Sequence, residues 1–228
     1  TTPYPCGYLE GRMAQSLIAA PHHLIDAETY SGLIQLGFRR SGKFAYRPHC
    51  EHCNACVPVR IPVAEFQLSR SQRRAWMQHQ GLTSEVIALN NYPEHLKLYT
   101  AYQRARHTGG GMDAEDAEQY RNFLVQSNVE TVMVEFREAG VLKMVSVVDI
   151  VRDGISAVYT FYDCSDSGAS YGTYNVLWLA QCCHSLGLPH LYLGYWIKDC
   201  RKMAYKQNFA PQQGLVDGEW VRLKADQV

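Results

Sequence analysis

The sequence predicts an α+β fold in which a mixed sheet is flanked by helices, with a smaller cysteine-containing N-terminal half. Two observations lead to this prediction. Three apolar, β-branched runs follow one another in the second half of the chain, separated by Gly140 and by Asp153 and Gly154, as in an antiparallel meander. Residues 1–75 instead carry most of the prolines and a cysteine loop. We therefore expect a cysteine-loop region, 1–75, packed with a larger sheet domain, 76–228, as one compound unit.

The composition is that of a globular chain with enough apolar residues to form a core. Of its 228 residues, 46% are hydrophobic and 19% are charged. The sequence shows no uninterrupted apolar stretch of about 18 residues and no leader with a cleavage site, so we expect a cytoplasmic protein with no membrane partner. Eight cysteines in a reducing compartment indicate ligands or buried thiols rather than disulfides.

Three helices are predicted before the meander. The first covers 27–36 and is ended by Gly37. The second covers 93–106, begins at Pro93 and places Leu96, Tyr99 and Tyr102 on one side. The third covers 114–126, and the acidic residues around its start suit the positive end of the helix dipole.

After the meander we expect a helix over 171–186, a strand over 190–196, a helix over 201–209 and a closing pair of strands around 214–223. This order, β-β-β-α-β-α-β, resembles the GNAT-like acyltransferase fold, in which three antiparallel strands lead into a helix across from a splayed strand pair. Acetyltransferases of that fold bind the pyrophosphate of coenzyme A on a glycine-rich turn that begins the helix. The equivalent turn here, 169–174, has one glycine and two tyrosines, so we expect no coenzyme A and a larger donor such as aminoacyl-tRNA.

Cys50, Cys53 and Cys56 are spaced three apart within an arginine-rich segment. A tight loop with this spacing can direct three thiolates at one ion, with Cys6 as a fourth ligand. The second CxxC pair of a structural zinc site is missing, and so is the cysteine-proline pair that closes ferredoxin-like clusters. Zinc, an iron–sulfur cluster and ordinary buried thiols are all compatible with the pattern.

Basic residues form three local patches beside aromatic residues. Because Lys plus Arg equals Asp plus Glu at 22 each, attraction to a polyanion has to come from such patches. A solvated helix face is the more common explanation of any single patch, but their recurrence beside tyrosine and tryptophan suits RNA ends and unstacked bases. The predicted tRNA-binding residues are Arg70, Arg73, Arg74, Arg104, Arg106, His107, Arg201, Lys202 and Lys206.

A set of motifs in one order resembles the arginyl-tRNA-protein transferase superfamily, and specifically its bacterial branch, the aspartate/glutamate leucyltransferases. The motifs are PCGYLEGR, LGFRRSGKFAYRP, CVPVRIPV, RHTGGGM, SAVYTFYD, YGTYNVLW and GYWIKDCRKMAYK, and they cover Cys6 to about Phe209. The resemblance implies transfer of leucine from leucyl-tRNA to the N-terminal α-amine of a protein that begins with Asp or Glu. The product is an N-degron, which marks the acceptor for degradation.

The eukaryotic relatives transfer arginine, so an arginyl donor with the same acceptors is the alternative. Those relatives also carry CGYC near the N-terminus, where this chain has Cys6-Gly7-Tyr8-Leu9. The metal or cluster site of the eukaryotic proteins is therefore not carried over.

The implied reaction needs no cofactor, because an aminoacyl ester is already activated and the enzyme has only to position the substrates and stabilise the oxyanion. Asp149 is the candidate general base or orienting group for the acceptor amine, with the capping of a turn at a strand end as the structural alternative. Tyr159, Tyr162 and Tyr195 are candidate donors to carbonyls or to the terminal ribose. As isolated tyrosines they would more often be core residues.

Recognition of an acidic first residue requires a fixed cation, and arginine suits this role best. The resemblance points to Arg39 and Arg40, with Arg47 and Arg60 in reserve, and a surface ion pair is the alternative for each. Alternation along a strand sends Arg39 and Arg40 to opposite faces, so we expect only one to bind the acceptor. Two other classes stay open: a metal-bearing tRNA-binding module without catalysis, and a small-molecule N-acyltransferase that binds coenzyme A.

Overall fold

The computed structural model describes residues 1–106 and 117–223, and its centre is an eight-stranded mixed sheet. In chain order the described strands and α-helices are β1 (Tyr4–Pro5), β2 (Met13–Ala14), β3 (Ser16–Ile18), α1 (Ala27–Gln35), β4 (Arg39–Ser41), β5 (Phe44–Pro48), β6 (Val57–Pro62), α2 (Arg70–Gln78), β7 (Leu82–Ala88), α3 (Pro93–Arg106), α4 (Ala117–Tyr120), β8 (Thr131–Glu138), β9 (Val141–Val151), β10 (Gly154–Tyr162), α5 (Tyr171–Ser185), β11 (His190–Trp196), α6 (Arg201–Ala204), β12 (Gln213–Val216) and β13 (Glu219–Arg222).

The strand order in the large sheet is β13-β12-β6-β11-β10-β9-β8-β7. Strands β8, β9 and β10 form the antiparallel meander that the sequence predicts. Strand β11 returns parallel to β10, and the other described neighbours in the sheet are antiparallel. Strand β6 comes from the first 75 residues, yet it lies inside the sheet between β11 and β12. Two smaller sheets, β1-β2 and β3-β5-β4, complete the N-terminal region.

Helix α5 packs on the sheet beside its parallel pair of strands and forms the largest core cluster. Its Leu177 and Leu179 are buried with Ile61 of β6 and Leu191 of β11. Helix α3 builds a second cluster on β8, β9 and β10, in which Tyr99 is 2% exposed. These helices follow the predicted spans closely, because their apolar positions recur at helical spacing.

Helix α1 also confirms its prediction, and its two ends explain why. The Asp26 side chain accepts a hydrogen bond from the Thr29 amide at 2.8 Å, which caps the first turn. Gly37 follows the helix with φ of 83°, a conformation that favours glycine and ends the helix.

Three segments differ from prediction in type or extent. The described residues 117–125 of the helix predicted over 114–126 are helical, as α4 followed by a π-helical turn, Arg121–Val125. The helix predicted over 201–209 is α6 followed by a 3₁₀ turn, Tyr205–Asn208. Strand β7 was not predicted: it is an edge strand without buried positions, so its sequence lacks the expected alternation. Among the described residues, no helix combines the length and the hydropathy needed to span a bilayer.

Candidate functional site

The candidate site is the cleft that opens where β10 and β11 separate. The two strands pair over only three residues, from Gly154 opposite His190 to Ser156 opposite Tyr192. Beyond that point β10 has a register shift between Ala157 and Tyr159, and β11 has one after Tyr192. Bulges of this kind bend strands away from each other and often accompany functional sites.

Arg39 enters this cleft from β4. Its guanidinium donates to the Ser156 hydroxyl at 3.2 Å and to the Ala157 carbonyl at 2.6 Å. A Cβ atom on Gly194, whose φ is 79°, would lie 3.0 Å from the Arg39 Cζ atom. Glycine at position 194 therefore gives Arg39 the room to lie against β11. The cleft thus holds a half-buried arginine whose described partners are neutral.

Arg40 points the other way, as expected for neighbouring residues on a strand. Its Nε atom lies 2.9 Å from both carboxylate oxygens of Asp149, and the two side chains are 2% and 0% exposed. It also donates to the carbonyls of Gly42 and Gln126. Arg40 therefore ties β4 to β9 in the interior.

Asp149, the candidate base, is fully buried within this contact. Its carboxylate accepts from Arg40 and also from the Thr131 hydroxyl at 2.7 Å. This carboxylate is 0% exposed and is already engaged by donors of the chain, so a substrate amine has no direct approach to it. Asp149 therefore holds Arg40 and Thr131 in place within the fold, and its catalytic role stays a prediction.

Lys206 lies in the interior rather than on a helix surface, because it sits in the 3₁₀ turn packed under β11. It is 6% exposed, and its ammonium donates to the Tyr195 carbonyl and lies 3.3 Å from the Met203 sulfur. Burial, followed by the charge of Arg39, lowers the pKa of Lys206 to about 7. Lys206 thus lies apart from the exposed cations with which the sequence groups it.

Aromatic rings line the part of β10 beyond the split. Tyr162 lies 4.9 Å from Tyr102, measured between ring centroids, and the Arg106 guanidinium lies 5.7 Å over the Tyr162 ring. Tyr159 packs deeper, against Phe123 at 5.4 Å. Burial raises the pKa of Tyr102 and of Tyr159 above the ordinary range, so both hydroxyls stay protonated and able to donate.

Tyr195 links β11 to the N-terminal region. Its hydroxyl lies 2.9 Å from the Gly37 carbonyl and 3.2 Å from the Tyr46 carbonyl, so its one proton is directed at backbone acceptors of the N-terminal region. Burial raises the pKa of Tyr195. A role for this hydroxyl in catalysis stays a prediction.

Arg47 and Arg60 lie outside the cleft. Arg47 donates to the Leu36 carbonyl at 3.0 Å and lines a cavity of about 200 Å³ that also contacts Tyr195. Arg60 stacks on Trp220 at 4.3 Å and donates to Gln213 at 2.7 Å. Arg60 lies opposite Tyr192, where β10 and β11 are still paired, so its contacts join elements of the fold.

The predicted tRNA-binding arginines are otherwise at the surface. The exposed ones are Arg70, Arg73, Arg74, Arg104, Arg106, Arg201 and Lys202. Gln72 of α2 donates to the Asn208 carbonyl at 2.8 Å, so the patch on α2 and the patch on α6 belong to neighbouring elements. His107 lies outside the described residues.

The four candidate metal ligands converge without forming a ligand set. Burial, followed by the thiols of Cys6, Cys50 and Cys53, raises the pKa of Cys56 to about 12. The Cys50 sulfur accepts from the Gln15 amide at 3.4 Å. Within residues 1–106 and 117–223, no three His, Cys, Asp or Glu side chains are placed to hold a metal ion. The thiols as arranged do not fit a zinc or iron–sulfur site, which stays a prediction from spacing.

Two residues of the cleft were missed by the sequence reasoning. Ser156 carries no signal, because serine inside a strand is common. Gly194 does carry one, since it interrupts the apolar run HLYLGYW, and an isolated glycine in a strand often marks a bulge or a close approach of another group.

Comparisons with known proteins give concordant matches along the chain. A family model described as "Arginine-tRNA-protein transferase, N terminus" matches residues 4–74, and one described as "Arginine-tRNA-protein transferase, C terminus" matches residues 94–216. A protein from Methylobacillus flagellatus named aspartate/glutamate leucyltransferase is 74% identical over 220 residues, which are 96% of this chain and 89% of that protein. A protein of the same name from Nitrosospira multiformis is 56% identical over 98% of this chain and 89% of its own length.

Among solved structures, L-PGS from Bacillus licheniformis superposes on 63% of this chain and 47% of its own chain. The sequence identity is 15% and the TM-score is 0.47.

Proposed function

We propose that this chain, which belongs to the aspartate/glutamate leucyltransferase family, transfers leucine from leucyl-tRNA to the N-terminal α-amine of proteins that begin with Asp or Glu. The observation that carries the proposal is Arg39 in the cleft between β10 and β11, since a cation in a cleft suits an acidic acceptor. We also propose that the sheet works as a GNAT-like acyltransferase core, and that 1–75 and 76–228 act as one compound unit in the cytoplasm.

The chemistry requires only that the protein hold two substrates and stabilise charge. The α-amine has a pKa of about 8, so a substantial fraction is neutral at physiological pH and a weak base is sufficient. The amine attacks the ester carbonyl, the tetrahedral oxyanion forms, and the ribose hydroxyl leaves as the amide is made. Hydrogen-bond donors fixed in the cleft stabilise the oxyanion, and Tyr162 is our candidate for one of them.

Arg39 is the acceptor-binding residue that we propose among the four predicted arginines. It reaches the cleft, and its described hydrogen bonds go to a hydroxyl and a carbonyl rather than to a carboxylate. Arg40 is neutralised by Asp149. Arg47 and Arg60 lie outside the cleft, Arg47 beside the Leu36 carbonyl and Arg60 against Trp220. A free cation in the cleft is the feature that an acidic side chain requires.

The donor tRNA would lie across the exposed arginines of α2 and α6, with its terminal nucleoside near the aromatic rings of β10. Aromatic rings and arginine are a suitable surface for unstacked bases. The start of α5 speaks against coenzyme A, because Tyr171 stacks on His79 at 4.5 Å and Gly172 faces Tyr162. Replacing Arg73 and Arg74 with alanine is expected to weaken tRNA binding and lower the salt slope by about one per residue. The exposed Lys97 of α3, replaced in the same way, is the control.

Leucine is our proposed donor amino acid, since the relatives at 74% and 56% identity are named leucyltransferases. An arginyl donor is the second candidate, because the matching family models are described by arginine-tRNA. A tRNA-binding module without catalysis is the third, and it predicts binding without product.

The experiment is a transfer assay with purified protein, radiolabelled leucyl-tRNA or arginyl-tRNA, and peptides that differ only in an N-terminal Asp, Glu, Lys or Ala. We expect label on the Asp and Glu peptides from leucyl-tRNA. Arg39→Lys should reduce transfer strongly, while Arg152→Lys, at an exposed ion pair with Glu28, should not. Equal or better transfer from arginyl-tRNA would make arginine the proposed donor amino acid in place of leucine. Binding of tRNA without any labelled peptide would refute the proposal that this chain is a transferase.

A further inference from the structure

Two cations lie against neighbouring residues of β11. Lys206 donates to the carbonyl of Tyr195, and the Arg39 guanidinium lies against the preceding residue, Gly194. The charge of Arg39 acts on Lys206 and lowers its pKa. One cation comes from β4 of the N-terminal region and the other from the turn after α6, so the fold brings them together from distant parts of the chain.

Within residues 1–106 and 117–223, neither of these cations forms an ion pair. Among the described residues, every ion pair leaves out both Arg39 and Lys206. Their hydrogen bonds go to Ser156, to backbone carbonyls and to a sulfur. Two like charges in a partly desolvated site disfavour the folded state unless an anion joins them. The arrangement therefore has the character of an anion site that the ligand completes.

We propose that Arg39 and Lys206 together form the subsite for the side-chain carboxylate of the acceptor's first residue, with Lys206 as the specificity-determining partner of Arg39. The inference rests on the proposed function, since it assigns a second residue to the acceptor site. A bound Asp or Glu side chain places its two oxygens between the two cations. The N-terminal amine then lies toward the open part of the cleft, beside the rings of β10.

A carboxylate fits this site better than a phosphate of the tRNA backbone. Lys206 is 6% exposed and donates to the backbone of β11, so a bulky ligand group has no room beside its ammonium. A phosphodiester carries a ribose on each side, and the arginines suited to phosphates lie at the surface, on α2 and α6. The small acidic side chain is therefore the ligand that we assign.

Charged and titratable groups around Lys206 come from five segments of the chain. Arg39 on β4 and burial oppose its positive charge, whereas Cys200 before α6 and Cys56 before β6 favour it. Tyr205 lies beside it, with the ring 5.9 Å from the ammonium, and Tyr195 provides the carbonyl. A carboxylate added to this group favours protonation of Lys206, so binding of an acidic acceptor should be coupled to proton uptake.

The test compares wild type with Lys206→Met, and uses Lys198→Met, an exposed lysine of the same motif, as the matched control. Isothermal titration measures binding of peptides that begin with Asp or with its neutral isostere Asn. We expect Lys206→Met to weaken the Asp peptide about 10- to 100-fold, to change the Asn peptide little, and to raise KM for the Asp peptide more than it lowers kcat. Lys198→Met should match wild type.

A second measurement uses the wild type alone. Titrations at pH 8 in buffers of different ionisation enthalpy count the protons taken up, and the Asn peptide subtracts the contribution of the α-amine. We expect net uptake for the Asp peptide only. An unchanged Asp-to-Asn ratio in Lys206→Met, or weaker binding of leucyl-tRNA with that ratio preserved, overturns the inference. Absence of transfer by wild type would instead refute the proposed function, so the two failures are distinguishable.

Discussion

Replacement of Asp149 by Asn separates the two roles considered for this residue. The substitution keeps the shape of the side chain and removes its charge, so Arg40 is left as a buried cation without a counter-ion. If the main role of Asp149 is to pair with Arg40, the free energy of unfolding of the variant falls. If Asp149 is mainly a catalytic base, the variant stays as stable as wild type and loses turnover.

The expected size of the effect follows from burial. The two side chains are 2% and 0% exposed and lie 2.9 Å apart, and removing one partner of a buried ion pair costs about 3–5 kcal/mol. For a chain of this length, about 1 kcal/mol shifts Tm by roughly 2–4 °C, so we expect a fall of roughly 6–20 °C. Thr131→Val removes the hydroxyl that donates to the same carboxylate and also contacts the Ser127 hydroxyl at 2.7 Å, and should cost about 1–3 kcal/mol.

The measurement is unfolding followed by circular dichroism, together with kcat/KM at a temperature where each variant is folded. The double variant Arg40→Met, Asp149→Leu serves as the control, because a buried ion pair replaced by apolar residues commonly regains stability. An Asp149→Asn protein that melts with wild type and has lost its turnover would show that the structural reasoning is wrong. Recovery of stability without recovery of transfer in the double variant would assign Asp149 both roles.

Three further predictions concern other parts of the fold. Gly194→Ala should lower transfer, because the new Cβ would lie 3.0 Å from the Arg39 Cζ atom and the guanidinium would have to shift by a few tenths of an ångström. Gly187→Ala has a similar φ of 68° and open space, so an assay of both variants isolates the steric effect from backbone strain of about 1–2 kcal/mol. Burial raises the pKa of Glu135, but hydrogen bonds from Arg137 and His95 lower it below 4.5. The ionised Glu135 carboxylate therefore stabilises the folded state above about pH 4.5, and this contribution is lost as the pH falls through the pKa of the folded protein. Denaturant titrations from pH 6 to pH 3 should therefore show a shallower pH dependence for Glu135→Gln than for wild type. Burial, followed by the charge of Arg39, lowers the pKa of Lys206 from 10.5 to about 7, so Lys206→Met should unfold at a higher denaturant concentration than wild type at pH 6, with a gain that shrinks as the pH rises toward 10.

Much of the fold follows from local patterns in the sequence. The meander is predictable because its strands are β-branched runs separated by turn residues, and α3 begins at the proline that the pattern identifies. Strand β7 is different, since an exposed edge strand buries no face and shows no alternation. The position of β6 between β11 and β12 is a long-range pairing, and no local pattern in the sequence specifies it.

In the candidate site, too, long-range contacts decide what local sequence patterns cannot predict. Alternation along β4 correctly separates Arg39 from Arg40, but it does not say which of them reaches the cleft. That outcome depends on Asp149, which is 109 residues away in the chain and neutralises Arg40. The sequence groups Lys206 with Arg201 and Lys202 because the three lie in one short basic run. Only the packing of the turn against β11 reveals that Lys206 is buried while the other two are exposed.

The adjacent arginines of β4 affect stability in opposite directions because their surroundings differ. Arg40 is buried with a carboxylate that accepts from it, so its charge holds β4 against β9 and its loss should weaken the fold. Arg39 lies near a second cation and has only neutral described partners, so its charge is a cost that the fold carries until an anion enters. Protein sites that bind ligands commonly retain such costs, and removing them stabilises the fold while it weakens function. Lys206→Met should therefore raise stability and lower affinity for an acidic acceptor, whereas Asp149→Asn should lower stability first and transfer as a result. The opposite signs follow from one difference between the buried cations Arg40 and Lys206: among the described residues, Arg40 pairs with a carboxylate and Lys206 does not.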